Sequence, residues 1–144
     1  MQQDRGNGSE SREARALVLV VERDPHVRRL ERFLLEEAGY MVQFSDDGLC
    51  AFDYARSTRP ALVITEVLVP KCDGLALCRQ LKGDEATRDI KVIIVSILAC
   101  ADRAREAGAD AYVRKPLNGT LLIDSVRHLI GHSEGNAHAA HQHR

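Results

Sequence analysis

The stretch ALVITEVLVPKCDG, residues Ala61 to Gly74, decides the fold. It follows Pro60 with apolar residues on both faces of a predicted strand, and its last strand residue is a single acid, Glu66. A strand that is apolar on both faces is typical of a parallel sheet covered by helices on both sides. The stretch therefore predicts a central strand that delivers one carboxylate to its carboxyl end.

Other apolar segments flank this strand, and stretches with helical periodicity separate them. The predicted strands are Ala16–Val21, Tyr40–Phe44, Ala61–Glu66, Lys91–Ser96 and Ala111–Lys115. The predicted helices run from Pro25 to before Gly39, from Gly48 to Arg56, from Gly74 to about Lys82, over a short stretch ending at Gly108, and from Asn118 to before Gly131. The helical residues predicted to face the core are Val27, Leu30, Phe33, Leu34 and Ala38 on the first helix, and Leu121, Val126 and Leu129 on the last.

Five strands that alternate with five helices predict an α/β fold with a doubly wound, five-stranded parallel sheet and helices on both faces. Right-handed crossovers leave few ways to wind such a sheet, and the flavodoxin-like strand order 2-1-3-4-5 is the natural choice. In these sheets the functional crevice lies at the carboxyl ends of the strands, beside the switch point between strands one and three.

Polar side chains are predicted at that edge of the sheet. They are Glu22, Arg23 and Asp24 after strand one, Glu66 at the end of strand three, Ser96 at the end of strand four, and Lys115 at the end of strand five. Asp24 precedes Pro25, a pair that is typical of a helix N-cap and first helical position. The pattern predicts that acids, a hydroxyl and a lysine converge on one pocket.

Composition limits the class of protein. The 144 residues fit one domain, 28% of them are charged, and the net charge is −1, which gives no basic field for nucleic acid. No apolar run approaches the roughly 20 residues of a membrane span, and residues 1–15 lack the apolar core of a signal peptide. The four cysteines have no CxxC spacing. We therefore predict a soluble, cytoplasmic protein.

The ends of the chain differ in composition from its centre. Residues 1–15 are rich in Gly, Ser and charge, and we predict a disordered tail there, followed by one domain over residues 16–131. Residues 132–144 form a second predicted disordered tail, with His132, His138, His141 and His143. These histidines could bind a soft divalent ion, but their irregular spacing favours a solvated tail.

Residues 16–131 resemble the receiver domain of two-component response regulators, the CheY-like family. The motifs that carry the resemblance are VVERDP, LVITEVLVPKCDG, IIVS and GADAYVRKP, in the family's order. The resemblance implies an aspartate at the end of strand three that takes a phosphoryl group from a histidine kinase. It also implies Mg²⁺ held by that aspartate and by acids after strand one, and an aromatic switch residue on strand five.

Three positions of the family's pattern match this sequence, and four features depart from it. By position, Ser96 and Tyr112 match the switch residues, and Lys115 matches the lysine that contacts the phosphoryl oxygens. Glu66 stands where the resemblance places the phosphoacceptor aspartate, and Arg23 stands at one of the acid positions after strand one. Ile97 also replaces a small residue, and the segment from Ser96 to Tyr112 is shorter than in the family.

These departures change the expected chemistry. One extra methylene moves a carboxylate by about 1.5 Å, and a misplacement of about 1 Å can cost roughly a hundredfold in rate. Arg23 and Lys115 are the predicted pocket cations, and they can balance Glu22 and Glu66 without an ion, whereas Asp24, the other predicted acid of the pocket, caps the helix. We therefore predict that Arg23 pairs with Glu22 or Glu66, and that Mg²⁺ binding is weak or absent.

The leading hypothesis is a stand-alone atypical receiver, a pseudo-receiver that signals by phosphorylation-independent protein–protein interaction and has no enzymatic activity. Too few residues follow the domain for an output domain, which is why we expect a stand-alone protein. The expected partners are proteins of a signalling pathway or phosphorelay, with a histidine kinase or another regulator as candidates, and neither nucleic acid nor membrane.

Two alternatives remain open. The first is a phosphoryl-accepting response regulator with an unusual Mg²⁺-dependent pocket, in which Glu22 or Asp24 binds the metal and Glu66 accepts the phosphoryl group. The second is a small flavin or nucleotide binder on the same fold. The sequence ERDPH after strand one disfavours it, because it lacks a glycine-rich phosphate loop.

Overall fold

A computed structural model describes residues 15–131, and it contains one five-stranded parallel sheet with the order β2-β1-β3-β4-β5. The strands are β1 (Leu17–Val21), β2 (Met41–Ser45), β3 (Leu62–Thr65), β4 (Lys91–Ser96) and β5 (Ala111–Arg114). The helices are α1 (Pro25–Glu37), α2 (Gly48–Thr58), α3 (Gly74–Gly83), α4 (Ala101–Glu106) and α5 (Gly119–Ile130). The predicted fold class and strand order are confirmed. Both predicted tails lie outside the described residues, apart from Arg15.

The sheet is buried on both faces because its central strands alternate their side chains between two apolar layers. Leu19 and Val21 point into a layer with α2, α3 and α4, whereas Val18 and Val20 point into a layer with α1 and α5. Burial on both faces explains why these strands have continuous apolar sequences rather than an apolar–polar alternation. No helix of residues 15–131 is both long enough and apolar enough to cross a bilayer.

The predicted core face of α1 is partly wrong. Leu30 and Phe33 are exposed, at 41% and 60% of their surface, whereas Leu35 and Glu31 are buried. The helix carries apolar residues on two sides. Successive residues of an α-helix are about 100° apart, so Leu30 and Phe33 lie on a different side from Glu31 and Leu35, which face the sheet. An acid on the inner side hid the correct phase of the helix. On α5, Leu122 is buried instead of the predicted Leu121, which is half exposed.

Side-chain caps fix where the helices begin beside the sheet edge. Asp24 accepts N–H groups at the start of α1, Asp73 does so at the start of α3, and Asn118 at the start of α5. Gly74 is the first residue of α3, and a Cβ there would lie 2.3 Å from the carbonyl oxygen of Glu66. Only glycine allows α3 to start this close to the end of β3, and this contact helps to place Glu66.

Candidate functional site

A cavity opens at the carboxyl edge of the sheet, between the ends of β1, β3 and β5. Its floor contains Glu22, Glu66 and Lys115. Its mouth is bordered by two charged residues, Arg23 and Asp24, and by apolar residues, namely Pro25, Val27, Leu68, Ile97 and Pro116. The sequence prediction that these strand ends meet at one pocket is therefore confirmed.

Glu66 is buried, and both of its carboxylate oxygens have partners. Oε1 lies 2.8 Å from Lys115 Nζ. Oε2 accepts the Ser96 hydroxyl at 2.6 Å and the backbone N–H of Leu68 at 3.1 Å. The longer acid thus contacts the serine at the end of β4, the lysine after β5, and the loop that follows its own strand.

Glu22 is the second acid on the floor, and it shares the same lysine. Glu22 Oε1 lies 2.9 Å from Lys115 Nζ, and Oε2 accepts the backbone N–H of Asp24 at 3.1 Å. The backbone carbonyl of Glu22 accepts a hydrogen bond from Arg28 Nε. One ammonium group therefore bridges two buried carboxylates, and the three side chains together carry one net negative charge.

The protonation of Glu66 and Lys115 follows from these contacts. Burial alone would raise the pKa of Glu66, but hydrogen bonds from Lys115, Ser96 and Leu68 outweigh it and leave the pKa below its usual value. Burial alone would lower the pKa of Lys115, but its hydrogen bonds to Glu66 and Glu22 outweigh it and raise the pKa. Both groups are therefore charged at neutral pH.

Arg23 does not take the position that the sequence predicts. It borders the cavity but is exposed, and among residues 15–131 no hydrogen bond or ion pair joins it to Glu22 or Glu66. The prediction that Arg23 pairs with one of these acids is wrong. Lys115 already bridges both carboxylates, and the remaining Glu22 oxygen accepts the Asp24 N–H. An exposed arginine would gain little by giving up its hydration for oxygens that are already bonded.

Asp24 has the capping role that the sequence predicts. Its Oδ1 accepts the N–H groups of His26 at 2.8 Å and of Val27 at 3.3 Å. These two hydrogen bonds lower the pKa of the exposed Asp24 carboxyl. The Asp24 side chain therefore fixes the start of α1 beside the cavity.

The loop after β4 is held by side chains of β5. The Tyr112 hydroxyl donates to the carbonyl of Leu98, and Arg114 Nε donates to the carbonyl of Ile97 at 2.9 Å. The Leu98 N–H donates to Ser96 Oγ at 3.2 Å. Ser96 thus connects the Glu66 carboxylate to this loop, and Tyr112 is half-buried at its far side. The switch role of Ser96 and Tyr112 stays a prediction.

Comparison with known proteins identifies the fold family. A family-wide sequence profile described as the response regulator receiver domain matches residues 18–127. The chain belongs to the response regulator receiver family. Receiver domains are modules of two-component signalling, so the prediction of a receiver domain with a role in this kind of signalling is confirmed.

Relatives of this receiver differ in length. It is 36% identical over 126 residues to the transcriptional regulatory protein CseB of Streptomyces avermitilis, a match that covers 82% of this chain and 52% of CseB. It thus spans about half the length of that relative. It is 33% identical over 117 residues to the polar-differentiation response regulator DivK of Brucella anthropi, covering 79% of this chain and 95% of DivK.

Solved structures agree with this assignment. The signal receiver domain of a signal transduction histidine kinase from Syntrophus aciditrophicus is 37% identical, with a TM-score of 0.74 over 80% of this chain and 89% of that one. The receiver domain of the sensor histidine kinase PA1611 from Pseudomonas aeruginosa is 25% identical, with a TM-score of 0.75 over 82% and 99% of the two chains. That structure is described as having a magnesium ion coordinated in its active site cleft.

The residues of this receiver do not fit Mg²⁺ in the arrangement observed. Mg²⁺ requires near-octahedral oxygen ligands, and the ammonium of Lys115 lies between the two carboxylates of the floor. Residues 15–131 contain no group of three or more His, Cys, Asp or Glu side chains that could hold a metal ion. The three side chains of the floor instead form an ion-pair network in which the lysine takes the place between the two acids.

Glu31 is a buried acid of this receiver that was not among the predicted site residues. Glu31 lies on the inner face of α1 and is 1% exposed, and its Oε1 has no hydrogen-bond partner among the described residues. Burial raises the pKa of Glu31 to about 8, and the negative charges of Glu22 and Glu66 add to the effect. Glu31 therefore carries its proton at neutral pH. The available signal was the helical spacing that places position 31 between Val27 and Leu35 on one face.

Proposed function

We propose that this receiver signals by phosphorylation-independent binding to a protein partner, and that Glu66 holds its pocket in one fixed state. The observation that carries the proposal is the bridge at Lys115, whose Nζ lies 2.8 Å from Glu66 and 2.9 Å from Glu22. The bridge supplies a positive charge between two acids without a metal. This function is a finer version of the signalling role that the family implies.

The hydrogen bonds of Glu66 oppose its use as a phosphoryl acceptor. An acceptor oxygen must lie in line with the incoming phosphorus and its leaving group, since phosphoryl transfer depends on positioning. Glu66 Oε1 is bound by Lys115, and Oε2 is bound by Ser96 and Leu68. Attack would require the carboxylate to give up at least one of these buried contacts, and breaking a buried ion pair costs about 3–5 kcal/mol.

We propose that Mg²⁺ is not a cofactor of this receiver. A metal ion would have to displace the Lys115 ammonium from between Glu22 and Glu66, and it would meet a floor with only one net negative charge. Arg23 adds another positive charge at the mouth. Both effects weaken the attraction of a divalent cation.

Glu66 can act as a permanent substitute for a phosphorylated side chain. A phosphoryl group carries nearly two negative charges and accepts hydrogen bonds from neighbouring donors. Glu66 carries one charge and already accepts hydrogen bonds from Ser96 and Lys115. Because these contacts fix the loops after β3 and β4, the surface presented to a partner would not depend on a phosphorylation cycle.

The proposed partner is a protein of a two-component pathway. Histidine kinases and other regulators interact with receiver domains, and CseB and DivK are regulators by name. The transcriptional role in the name of CseB belongs to a protein about half of which matches this chain. We propose neither nucleic acid nor membrane as a ligand of residues 15–131.

Incubation with Mg²⁺ and acetyl phosphate, followed by intact-mass measurement, tests the proposal. We expect no added phosphoryl group on the wild-type protein. The double variant Glu66→Asp with Arg23→Asp restores the acids that the family resemblance implies, and it serves as the matched comparison for the assay. A phosphorylated wild-type protein that loses the added mass in Glu66→Ala would overturn the proposal and favour a phosphoryl-accepting regulator.

A further inference from the structure

Large apolar side chains surround the mouth of the cavity. Leu68 is 59% exposed and Ile97 is 58% exposed, and both line the cavity together with exposed Pro25 and Pro116. We call these four residues the apolar rim. An exposed apolar patch with polar neighbours is typical of a protein interaction site, whereas single exposed apolar residues are ordinary. The rim groups its residues around one concavity.

The charged floor holds both large residues of the rim in place. The Leu68 N–H donates to Glu66 Oε2 at 3.1 Å. Ser96, which donates to the same oxygen, also accepts the N–H of Leu98, and the carbonyl of Ile97 accepts Arg114 Nε. The Leu68 and Ile97 side chains are therefore presented to solvent by backbone segments that the Glu66 carboxylate fixes. Such preorganisation lowers the entropic cost of binding.

Two arginines with no acidic partner lie beside the rim. Arg23 borders the cavity, and Arg114 is hydrogen-bonded to the Ile97 carbonyl. Both are exposed, and neither forms an ion pair with a carboxylate of residues 15–131. Arginine is enriched at protein interfaces, and its planar guanidinium binds carboxylates in a bidentate manner. The mouth thus has one arginine without an acidic partner, Arg23, beside Asp24, whose carboxylate caps α1, and Arg114 adds a second such arginine beside Ile97.

The acids of the site are less available to a partner. Glu22 and Glu66 are 4% and 6% exposed, and their oxygens are bound by Lys115, Ser96 and backbone N–H groups. The Asp24 carboxylate caps α1. A cationic group of a partner would have to replace existing hydrogen bonds at these acids. An anionic group would meet arginines whose charge is unused.

We infer that the apolar rim, together with Arg23 and Arg114, is the docking site for an acidic segment of a partner protein that carries a large apolar side chain. The apolar side chain enters the cavity between Leu68 and Ile97, and carboxylates on either side of it bind the two arginines. This inference rests on the proposed function, because it assigns the partner site to the edge that Glu66 fixes.

Two other occupants fit the same surface less well. In a symmetric dimer the rim would meet its own copy, which would place like-charged arginines of the two copies near the symmetry axis. An anionic membrane is bound by clusters of about 4–8 Lys and Arg residues. Only two unpaired arginines of residues 15–131 lie beside the rim, which itself surrounds a concavity, and this arrangement suits a side chain better than a flat bilayer.

Selection from a phage-displayed library of random linear peptides tests the inference, with the unphosphorylated full chain in EDTA as bait. We expect the selected peptides to combine Asp or Glu with a large apolar residue. Ile97→Ser and Arg23→Ala should each weaken a selected peptide by about tenfold. Replacing the peptide's acid by Ala should weaken wild-type binding but have little further effect on Arg23→Ala, which is the sign of direct coupling.

Matched variants elsewhere on the surface control for non-specific effects. Leu121→Ser removes an apolar side chain that is 50% exposed on α5, and Arg29→Ala removes an exposed charge from α1. Both should leave peptide binding unchanged. Thermal melting of each variant checks that it is folded.

Several results would overturn the inference. These are no selected peptide, peptides without acids, peptides insensitive to Ile97→Ser and Arg23→Ala, self-association lost in Ile97→Ser, or binding to phosphatidylserine vesicles lost in Arg23→Ala. None of these concerns phosphorylation. The intact-mass assay therefore judges the proposed function separately from this docking site.

Discussion

Ser96 Oγ donates a hydrogen bond to Glu66 Oε2 over 2.6 Å, and it also accepts the N–H of Leu98. The carboxylate at the end of β3 thus fixes the loop after β4 through one hydroxyl group. It fixes the loop after its own strand directly, through the Leu68 N–H.

Glu66→Ala should loosen both loops. The variant leaves Ser96 Oγ and the Leu68 N–H without their shared acceptor, so faster amide hydrogen exchange is expected at Leu68 and Leu98. Glu66→Asp should have a similar but smaller effect, because the shorter side chain cannot reach Lys115 and Ser96 equally well. Asp102→Ala, at an exposed acid of α4, is the control. Unchanged exchange at Leu68 and Leu98 in Glu66→Ala would show that the carboxylate does not hold the loops.

Lys115→Met should destabilise the fold by about 3–5 kcal/mol, since it leaves two buried carboxylates without their cation. The free energy of unfolding in urea measures the effect. Lys71→Met is the matched control, because the Lys71 side chain is 64% exposed and its nitrogen lies 3.9 Å from Asp47. Such a surface pair contributes about 0–1 kcal/mol. Equal losses in the two variants would contradict the central role of Lys115.

Glu31 should make this receiver less stable as pH rises from about 4.5 to about 8. The pKa of Glu31 is raised from 4.5 to about 8 by burial, so the folded chain keeps a proton that the unfolded chain releases. The folded state binds more protons within this window, and stability therefore falls with increasing pH. Glu31→Leu should be more stable than the wild type by about 3–5 kcal/mol near the upper end of the window, and the gain should shrink towards its lower end.

Two variants separate the charge of Glu31 from its polarity. Glu31→Gln keeps a polar group but cannot ionise, so its stability should lack the pH dependence that Glu31 causes. Glu37→Gln, at an exposed acid of the same helix, should behave like the wild type. Urea unfolding across the pH range gives both comparisons, and parallel pH profiles for Glu31→Gln and the wild type would contradict the assignment.

Mg²⁺ should not bind the wild-type pocket at submillimolar concentration, because Lys115 occupies the space between Glu22 and Glu66. Calorimetric titration measures this directly. The variant Glu66→Asp with Arg23→Asp should bind more tightly, since it adds an oxygen ligand and removes a positive charge. Saturable binding by the wild type that Glu66→Ala abolishes would refute the prediction.

The fold and the centre of the site could be predicted because they depend on strand order. Apolar segments such as 91–96 predicted the strands, and parallel strands bring their carboxyl ends to one edge of a sheet. That rule alone placed Glu66, Ser96 and Lys115 together, as the structure confirms. No side-chain geometry was required.

The misses concern choices that a pattern of residue types leaves open. Two acids and two cations were expected at the pocket, but one lysine satisfies both acids, and Arg23 remains outside. Distances across the sheet decide whether the arginine or the lysine pairs with the two acids. On α1, Leu30 and Phe33 made the outer side appear to be the inner one, because no pattern rule anticipates a buried acid such as Glu31.

The two ends of the ion pair between Glu22 and Lys115 are made at very different times. Glu22 and Lys115 are 93 positions apart, so a ribosome synthesises the acid long before the lysine. Until β5 emerges, a nascent chain that has already paired β1 with β3 holds the carboxylates of Glu22 and Glu66 side by side. Their repulsion opposes the burial of both groups. The synthesis of Lys115, directly after β5, is thus a condition for burying both carboxylates at the edge of the sheet.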